Sequence, residues 1–154
     1  MDRSQLLKRL DKAWNALKVS YAALTDSEMT ESGVTGAWSI KDIIAHVTSW
    51  ENESLIHLPL ILVGEKPALY SVIYGGIDAF NALTIEQKRN LSLSDVLRER
   101  DDTHRRLIDF IQGVSEDQFI RETRFRRRLR LDTYSHYPQH TEAIRKWRDR
   151  RLAG

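Results

Sequence analysis

Three of the five histidines have types and spacings that fit a metal site. His136 and His140 stand four residues apart in DTYSHYPQHTEAIRKW (132–147), and His46 lies in WSIKDIIAHVTSWE. Residues four apart in an α-helix are about 6 Å apart along the axis and lie on nearly one face. The neutral imidazole of histidine is the commonest protein ligand for metals, and it suits transition metals. We therefore expect the three histidines to meet in the core and to bind one divalent ion.

The HxxxH pattern alone has an alternative explanation. It also occurs by chance on helices, and here it lacks the glutamate of the HExxH zinc-protease motif. Without a metal, the two histidines would be partly buried and bonded to backbone carbonyls or to Asp132. No glutamate is placed by spacing near the three histidines, so the sequence identifies no general base and the catalytic residues stay unknown.

Two aspartates have the spacing of partners for these rings. Asp132 precedes His136 by four residues, and Asp42 precedes His46 by four. A carboxylate at such a position can accept a hydrogen bond from the ring nitrogen that does not bind metal, and so orient the ligand. We predict this supporting role for both aspartates.

Composition narrows the class of protein. A length of 154 residues predicts one domain, 1–154, with a core of its own. The absence of cysteine excludes disulfides, thiolate zinc sites and cysteine nucleophiles. The amino terminus is charged and unlike a signal peptide, and the longest apolar run, Leu58–Val63, contains Pro59 and is too short to cross a bilayer. We expect a soluble, cytoplasmic protein without membrane contact.

The overall charge does not indicate nucleic-acid binding. The net charge is +2, from 24 basic and 22 acidic residues. One local exception is RETRFRRRLR (Arg121–Arg130), which holds six arginines and one glutamate. We interpret this run as a solvated, loop-like linker before the last helix, and an anion or phosphate patch is the alternative.

Hydrophobic periodicity predicts an all-α fold with four main helices. The first covers about Ser4–Ser27, with a seam at Leu7, Leu10, Trp14, Leu17, Tyr21 and Leu24. The second begins at Ser39, where Asp42 follows as in a capping box, and Gly64 ends it. His46 falls on or next to its buried face.

A long connection separates the second helix from the third, which covers about Asp95–Gln112. It contains an irregular stretch, Lys66–Gly76, and a short helix, Ile77–Asn90. This connection is too long for a hairpin and favours a crossover that lets the second and third helices run parallel. The fourth helix is predicted at about Thr133–Arg151, where Pro138 should kink it or displace its start.

Other aromatic and imidazole side chains have both structural and functional interpretations. Trp50, one turn after His46, is a core anchor or a wall of a substrate pocket. Tyr134 either packs or donates a hydrogen bond to a bound ligand. His57 and His104 are interpreted as histidines at the edge of the core.

The segments GAWSIKDIIAHVTSWE and DTYSHYPQHTEAIRKW together resemble the DinB-like superfamily. Its members carry a tryptophan before the helix that holds the first histidine, and an HxxxH near the carboxyl terminus. The middle segment, IDAFNALTIEQKRNLSLSDVLRER, is also similar, so the resemblance covers about residues 4–150.

The resemblance implies a four-helix bundle with a long crossover, often a homodimer. It implies that His46, His136 and His140 are ligands of nickel, zinc, iron or manganese, with open positions for water, and Asn81 matches a family asparagine position. Some relatives are transferases or isomerases that use low-molecular-weight thiols, others resemble hydrolases, and many have no known activity. Pro138 within the HxxxH departs from the expected motif.

We thus predict a metal-dependent enzyme, a thiol-dependent transferase or a hydrolase, that acts on an unknown small molecule. The alternative is a non-enzymatic small-ligand or stress-related binding protein with a degenerate metal site. Nucleic-acid binding through Arg121–Arg130 ranks third.

Overall fold

The computed structural model describes residues 1–154 as helices joined by turns and loops, without strands. The all-α fold class is therefore confirmed. The eight α-helices are α1 (Arg3–Tyr21), α2 (Asp26–Met29), α3 (Ile40–Leu62), α4 (Tyr70–Ile73), α5 (Ile77–Lys88), α6 (Leu93–Gln112), α7 (Arg124–Asp132) and α8 (Tyr137–Ala153). None has the combination of length and apolar character that a membrane crossing requires.

Contacts between the long helices establish their directions. Arg3, at the start of α1, donates to the carbonyl of Val114, just after the end of α6. Tyr21, at the end of α1, meets Arg100 near the start of α6. Helices α1 and α6 are therefore antiparallel.

The last helix runs in the same direction as the first. Trp14 packs on Tyr137 at the start of α8, with ring centroids 5.2 Å apart. Further along both helices, Arg148 donates to the carbonyl of Ser20 at 3.2 Å. Helices α1 and α8 are therefore parallel.

Helix α3 opposes α8. His46 lies beside His140, whereas Glu51, later in α3, meets Tyr137, earlier in α8. Since α3 and α6 both oppose the direction of α1 and α8, they run parallel to each other. The predicted crossover is confirmed, and the stretch predicted as irregular contains the single turn α4.

The start of the histidine-bearing helix α3 is fixed by the predicted capping box. Asp42 N–H donates to Ser39 Oγ at 3.1 Å, and Asp42 Oδ2 accepts from Ser39 N–H at 3.0 Å. These bonds satisfy backbone donors that a helix start would otherwise leave free. The Asp42 carboxylate thus serves the cap, and the prediction that it orients His46 is wrong.

Helix α1 is shorter than its periodicity predicted. It ends at Tyr21, and Thr25 caps the separate short helix α2 with its own capping box. A threonine that accepts from the N–H three residues later favours a new start over continuation. The predicted seam residues Leu10, Trp14 and Leu17 are buried as expected.

The arginine-rich run is a helix, so its interpretation as a loop is wrong. Thr123 caps α7 by accepting from Arg126 N–H at 3.1 Å. Phe125 and Leu129, one turn apart, are both 0% exposed. Arginine side chains cover most of the remaining surface of α7, and this apolar pair packs the helix against the core.

Pro138 displaces the start of the last helix, which was one of its two predicted effects. Residues 133–136 form turns, and α8 begins at Tyr137 with Pro138 in its first turn. Proline is tolerated there because its missing N–H would lack an intrahelical partner anyway. The predicted start at Thr133 is wrong, and His136 occupies the position before α8 without a capping hydrogen bond from its side chain.

Candidate metal centre

The three histidines converge from different elements. Nε2 of His46, on α3, lies 3.0 Å from Nε2 of His136, in the turn before α8. Nε2 of His140, on α8, lies 2.9 Å from the same His136 atom. One ligand nitrogen from each ring falls within 4.8 Å of the others. The fold therefore gathers the three side chains that sequence spacing had grouped.

These separations fit a shared ion. Two nitrogens that each bind one ion at about 2.1 Å cannot be more than about 4.2 Å apart. The distances of 3.0 Å and 2.9 Å meet this limit. Both separations are also hydrogen-bond lengths, but Nε2 of a neutral His136 has either one N–H or one lone pair and so can bond to only one of the two rings at a time.

Burial keeps the three rings neutral, which is the form that binds metals. Desolvation, with smaller contributions from His136 and His140, lowers the pKa of His46 from 6.5 to about 2. Desolvation, followed by the effect of His140, lowers the pKa of His136 to about 3. Desolvation lowers the pKa of His140 to about 4. At neutral pH each ring has a lone pair to donate.

The predicted carboxylate partners of the rings are absent. Nδ1 of His46 and Nδ1 of His136 are buried without a hydrogen-bond partner. The backbone carbonyl of Asp132 favours protonation of His136, but no bond of ordinary geometry reaches Nδ1. This differs from most histidine metal sites, in which the second nitrogen donates to a carboxylate, a carbonyl or water.

The Asp132 carboxylate has other partners, so its predicted contact with the His136 ring is wrong. Asp132 Oδ2 accepts from Ser54 Oγ and from Arg128 Nε, both at 2.6 Å. Burial raises the pKa of Asp132, and the Arg128 guanidinium opposes this shift by favouring the carboxylate. A charge-assisted contact this short favours the ionised pair.

The three histidines line a cavity of about 490 Å³. Its aromatic wall is formed by Trp38, Trp50 and Tyr70. The other lining residues include Ile77, Leu131, Asn81, Arg128 and Gln139. This volume lies within the range of small-molecule sites, which are mostly apolar with a few polar groups.

Trp50 and Asn81 lie in the cavity wall and hold each other, since Trp50 Nε1 donates to Asn81 Oδ1 at 2.8 Å. Tyr134, in contrast, does not line the cavity. It is buried, with the Arg9 guanidinium 5.1 Å from the centre of its ring. Of the two interpretations of Tyr134, the structure agrees with packing and not with a contact to a ligand in this cavity.

Sequence reasoning missed three polar residues of the cavity, Tyr70, Arg128 and Gln139. The Tyr70 hydroxyl accepts from Arg128 Nη2 at 2.8 Å and donates to Glu53 Oε1 at 3.1 Å. Tyr70 was assigned to an irregular stretch and Arg128 to a loop, so neither had a predicted direction. The helical spacing of Phe125 and Leu129 is the signal that would have oriented Arg128.

A second buried network lies where α3, α6 and α8 meet. Glu51 Oε2 accepts from His104 Nδ1 at 2.8 Å and from the Tyr137 hydroxyl. Burial, reinforced by Glu51, raises the pKa of Tyr137 well above its ordinary value, so the phenol stays protonated and donates. Trp14 stacks on His104 with ring centroids 3.9 Å apart. Because Tyr137 directly follows His136, this network connects the turn that carries His136 to α3.

Comparison with protein families agrees with this architecture. The model of the DinB superfamily matches residues 9–143. The chain belongs to the DinB superfamily. The resemblance inferred from the two histidine segments is thereby confirmed, whereas a comparison with curated proteins gives no match.

Solved structures of similar fold share little sequence with this superfamily member. The sibling lethal factor precursor DfsB matches with a TM-score of 0.82 and 18% identity, over 98% of this chain and 97% of its own. An uncharacterised protein from Escherichia coli UTI89 matches with a TM-score of 0.80 and 15% identity, over 98% of this chain and 95% of its own. The colibactin self-resistance protein ClbS, solved in complex with double-stranded DNA, matches with a TM-score of 0.78 and 14% identity, over 94% of each chain. At such identities the similarity shows the fold alone.

Proposed function

We propose that this DinB-superfamily protein is a metal-dependent enzyme whose ion is bound by His46, His136 and His140. The observation that carries the proposal is the convergence of three neutral Nε2 atoms on one wall of a cavity of ligand size. Nickel, zinc and iron suit imidazole donors, whereas manganese prefers oxygen ligands and is included from the family resemblance alone. When bound, the ion supplies Lewis acidity that lowers the pKa of a water or a thiol.

The residues around the ion have separate tasks. The three buried imidazoles provide neutral donors, and Trp38 and Trp50 shield one side of the cavity from water. Asp132 and Glu53 are engaged by Arg128 and Tyr70 respectively, so neither is assigned as a general base. The proposed reaction is transfer to or from a low-molecular-weight thiol, or a hydrolysis. The homodimer and the cytoplasmic location remain predictions from the family and the composition.

Metal content tests this proposal directly. We expect near-stoichiometric transition metal in tag-free wild-type protein after exposure to nickel, zinc, iron or manganese. The His136→Ala/His140→Ala variant should lose it, because one remaining imidazole cannot hold an ion tightly. Elemental analysis measures the ratio.

His57→Ala is the matched control, since His57 is a half-buried histidine that does not line the cavity. It should retain the wild-type metal content. Equal metal in wild type and double variant, or none in either, would contradict the proposal. Absence of metal from both proteins would favour a binding protein with a degenerate site.

Duplex DNA binding through α7 is a second candidate function. Arg121, Arg124 and Arg127 are exposed along this segment, and a protein of the same fold, ClbS, has been solved with double-stranded DNA. The structure limits the number of free arginines in the run, because Arg124 donates to the Glu65 carbonyl at 3.3 Å and the three less exposed arginines also have protein partners. These are Arg126 with the Phe119 carbonyl, Arg128 with Asp132 and Arg130 with Glu122.

Salt dependence tests this second function. If the three exposed arginines contact phosphates, the slope of log affinity against log salt should be about −3, since each phosphate contact contributes about 0.9. Arg121→Gln/Arg124→Gln/Arg127→Gln should bring this slope close to zero in fluorescence anisotropy with a labelled duplex. Lys8→Gln/Lys12→Gln/Arg150→Gln removes the same charge elsewhere and should not change it. Equal effects of the two triple variants would show non-specific attraction.

A further inference from the structure

The cavity holds one permanent cation besides the proposed ion. Arg128 is the only lysine or arginine in its lining, and its side chain is 17% exposed. Burial lowers the pKa of Arg128, but the contributions of Asp132 and Tyr70 exceed this effect and raise the pKa overall. The guanidinium is therefore charged at every pH at which the protein is folded.

The guanidinium is held in place with one nitrogen to spare. Nε donates to Asp132 at 2.6 Å, and Nη2 donates to the Tyr70 hydroxyl at 2.8 Å. Its central carbon lies 5.8 Å from the ring centre of Trp50 and 5.6 Å from that of Tyr70. Nη1 makes no hydrogen bond with the protein and is not among the buried unpaired atoms. Because the Arg128 side chain is already held in place, little of its conformational entropy would be lost when a ligand binds.

We propose that the cavity binds a small monocarboxylate with a flat apolar body, and that Arg128 Nη1 donates to the carboxylate. This inference rests on the proposed function, since it names the substrate class of the same site. The apolar body would lie against Trp38, Trp50 and Ile77, which line the same cavity. The opposite end of the ligand faces the three histidines.

The local charges favour a carboxylate over a phosphate. Asp132 already neutralises Arg128, and Glu53 lies buried on the far side of Tyr70. A phosphate dianion placed at Nη1 would meet two buried carboxylates with only one free donor nitrogen. A carboxylate carries one negative charge, so it is repelled less by these two carboxylates and needs fewer donors than a phosphate. Arginine also forms strong charge-assisted hydrogen bonds with carboxylates.

The test compares 2-naphthoate with its neutral isostere 2-naphthamide and with 2-naphthyl phosphate, by isothermal titration calorimetry. The purified protein is used with and without added transition metal. We expect 2-naphthoate to bind at least tenfold more tightly than the other two compounds in one or both forms. Arg128→Gln should abolish this preference, and the exposed neighbour variant Arg127→Gln should keep it.

A second variant guards against misfolding. Arg128→Gln leaves Asp132 buried without its cation, whereas Arg128→Gln/Asp132→Asn removes both charges together and should also lose the preference while keeping a cooperative thermal unfolding transition. Equal affinities for the three compounds in both forms, or a preference that survives both variants, would overturn the inference. A carboxylate preference in a protein that takes up no metal would support Arg128 and refute the metal-dependent enzyme.

Discussion

The metal-free protein should lose stability steeply as the pH falls below about 6.5, because its three buried histidines resist protonation. Their folded pKa values are about 2, 3 and 4, against an ordinary value of 6.5. Above pH 6.5 the three rings are neutral in both the folded and the unfolded protein, so they contribute no pH dependence to stability. Below it, the unfolded chain binds protons that the folded chain does not, so stability falls with falling pH.

The expected slope is large. Each histidine that titrates only in the unfolded state contributes about 1.4 kcal/mol per pH unit, so three contribute about 4 kcal/mol per unit near pH 5. His140 stops contributing near its folded pKa of about 4, and the other two continue to lower pH. Against a typical stability of about 5–15 kcal/mol, this places acid unfolding at about pH 4–5.

Urea denaturation in the presence of a chelator, at pH values from 7.5 to 4.5, measures this slope. The control is the His46→Gln/His136→Gln/His140→Gln variant, which retains every carboxylate but cannot titrate in the site. Its stability should change little across the same range. If both proteins lost stability in parallel, the carboxylates would be responsible and the buried-histidine explanation would be wrong.

Glu51→Ala should cost about 3–5 kcal/mol of unfolding free energy, since each of two buried donors that loses its acceptor costs about 1–3 kcal/mol. Glu51 is 0% exposed and accepts from both His104 and Tyr137. Alanine leaves both donors without an acceptor and creates a cavity where α3, α6 and α8 meet. Chemical denaturation at neutral pH measures the loss, and metal affinity should fall with it, because Tyr137 anchors the turn that carries His136.

Two variants separate this effect from simple loss of a charge. Glu51→Gln keeps a carbonyl oxygen for both donors and should cost clearly less than the alanine variant. Glu142→Ala removes an exposed carboxylate paired only with Lys146 and should change stability by less than about 0.5 kcal/mol. A small effect of Glu51→Ala would mean that water replaces the carboxylate, and that the network does not hold α8.

The fold was predictable wherever apolar spacing and capping residues agreed. Ser39 and Asp42 predicted the start of α3, and the length of the segment after Gly64 predicted the crossover. In α7, Phe125 and Leu129 have helical spacing, but these two apolar positions are surrounded by arginines that conceal the pattern. Long arginine side chains can cover a packed helix while their charges stay in water.

The three histidines were predictable as a group, and their surroundings were not. Four-residue spacing predicted that Asp42 and Asp132 would serve the rings, yet each carboxylate has nearer partners: the backbone N–H of Ser39 for Asp42, and Ser54 and Arg128 for Asp132. Partners such as Ser54 come from another helix and leave no trace in local spacing. For the same reason, sequence alone could not show that His104 pairs with Glu51.

The crossover described above supplies one part of the cavity, and the long helices of the bundle supply another. The three histidines come from α3 and from the region around the start of α8, whereas Tyr70, Ile77 and Asn81 come from α4 and α5. The first part belongs to the bundle, where close packing against the core constrains substitutions. The second belongs to a surface connection, where substitutions and insertions are tolerated. We therefore expect substitutions in α4 and α5 to change which small molecules fit the cavity while the arrangement of the three histidines is kept.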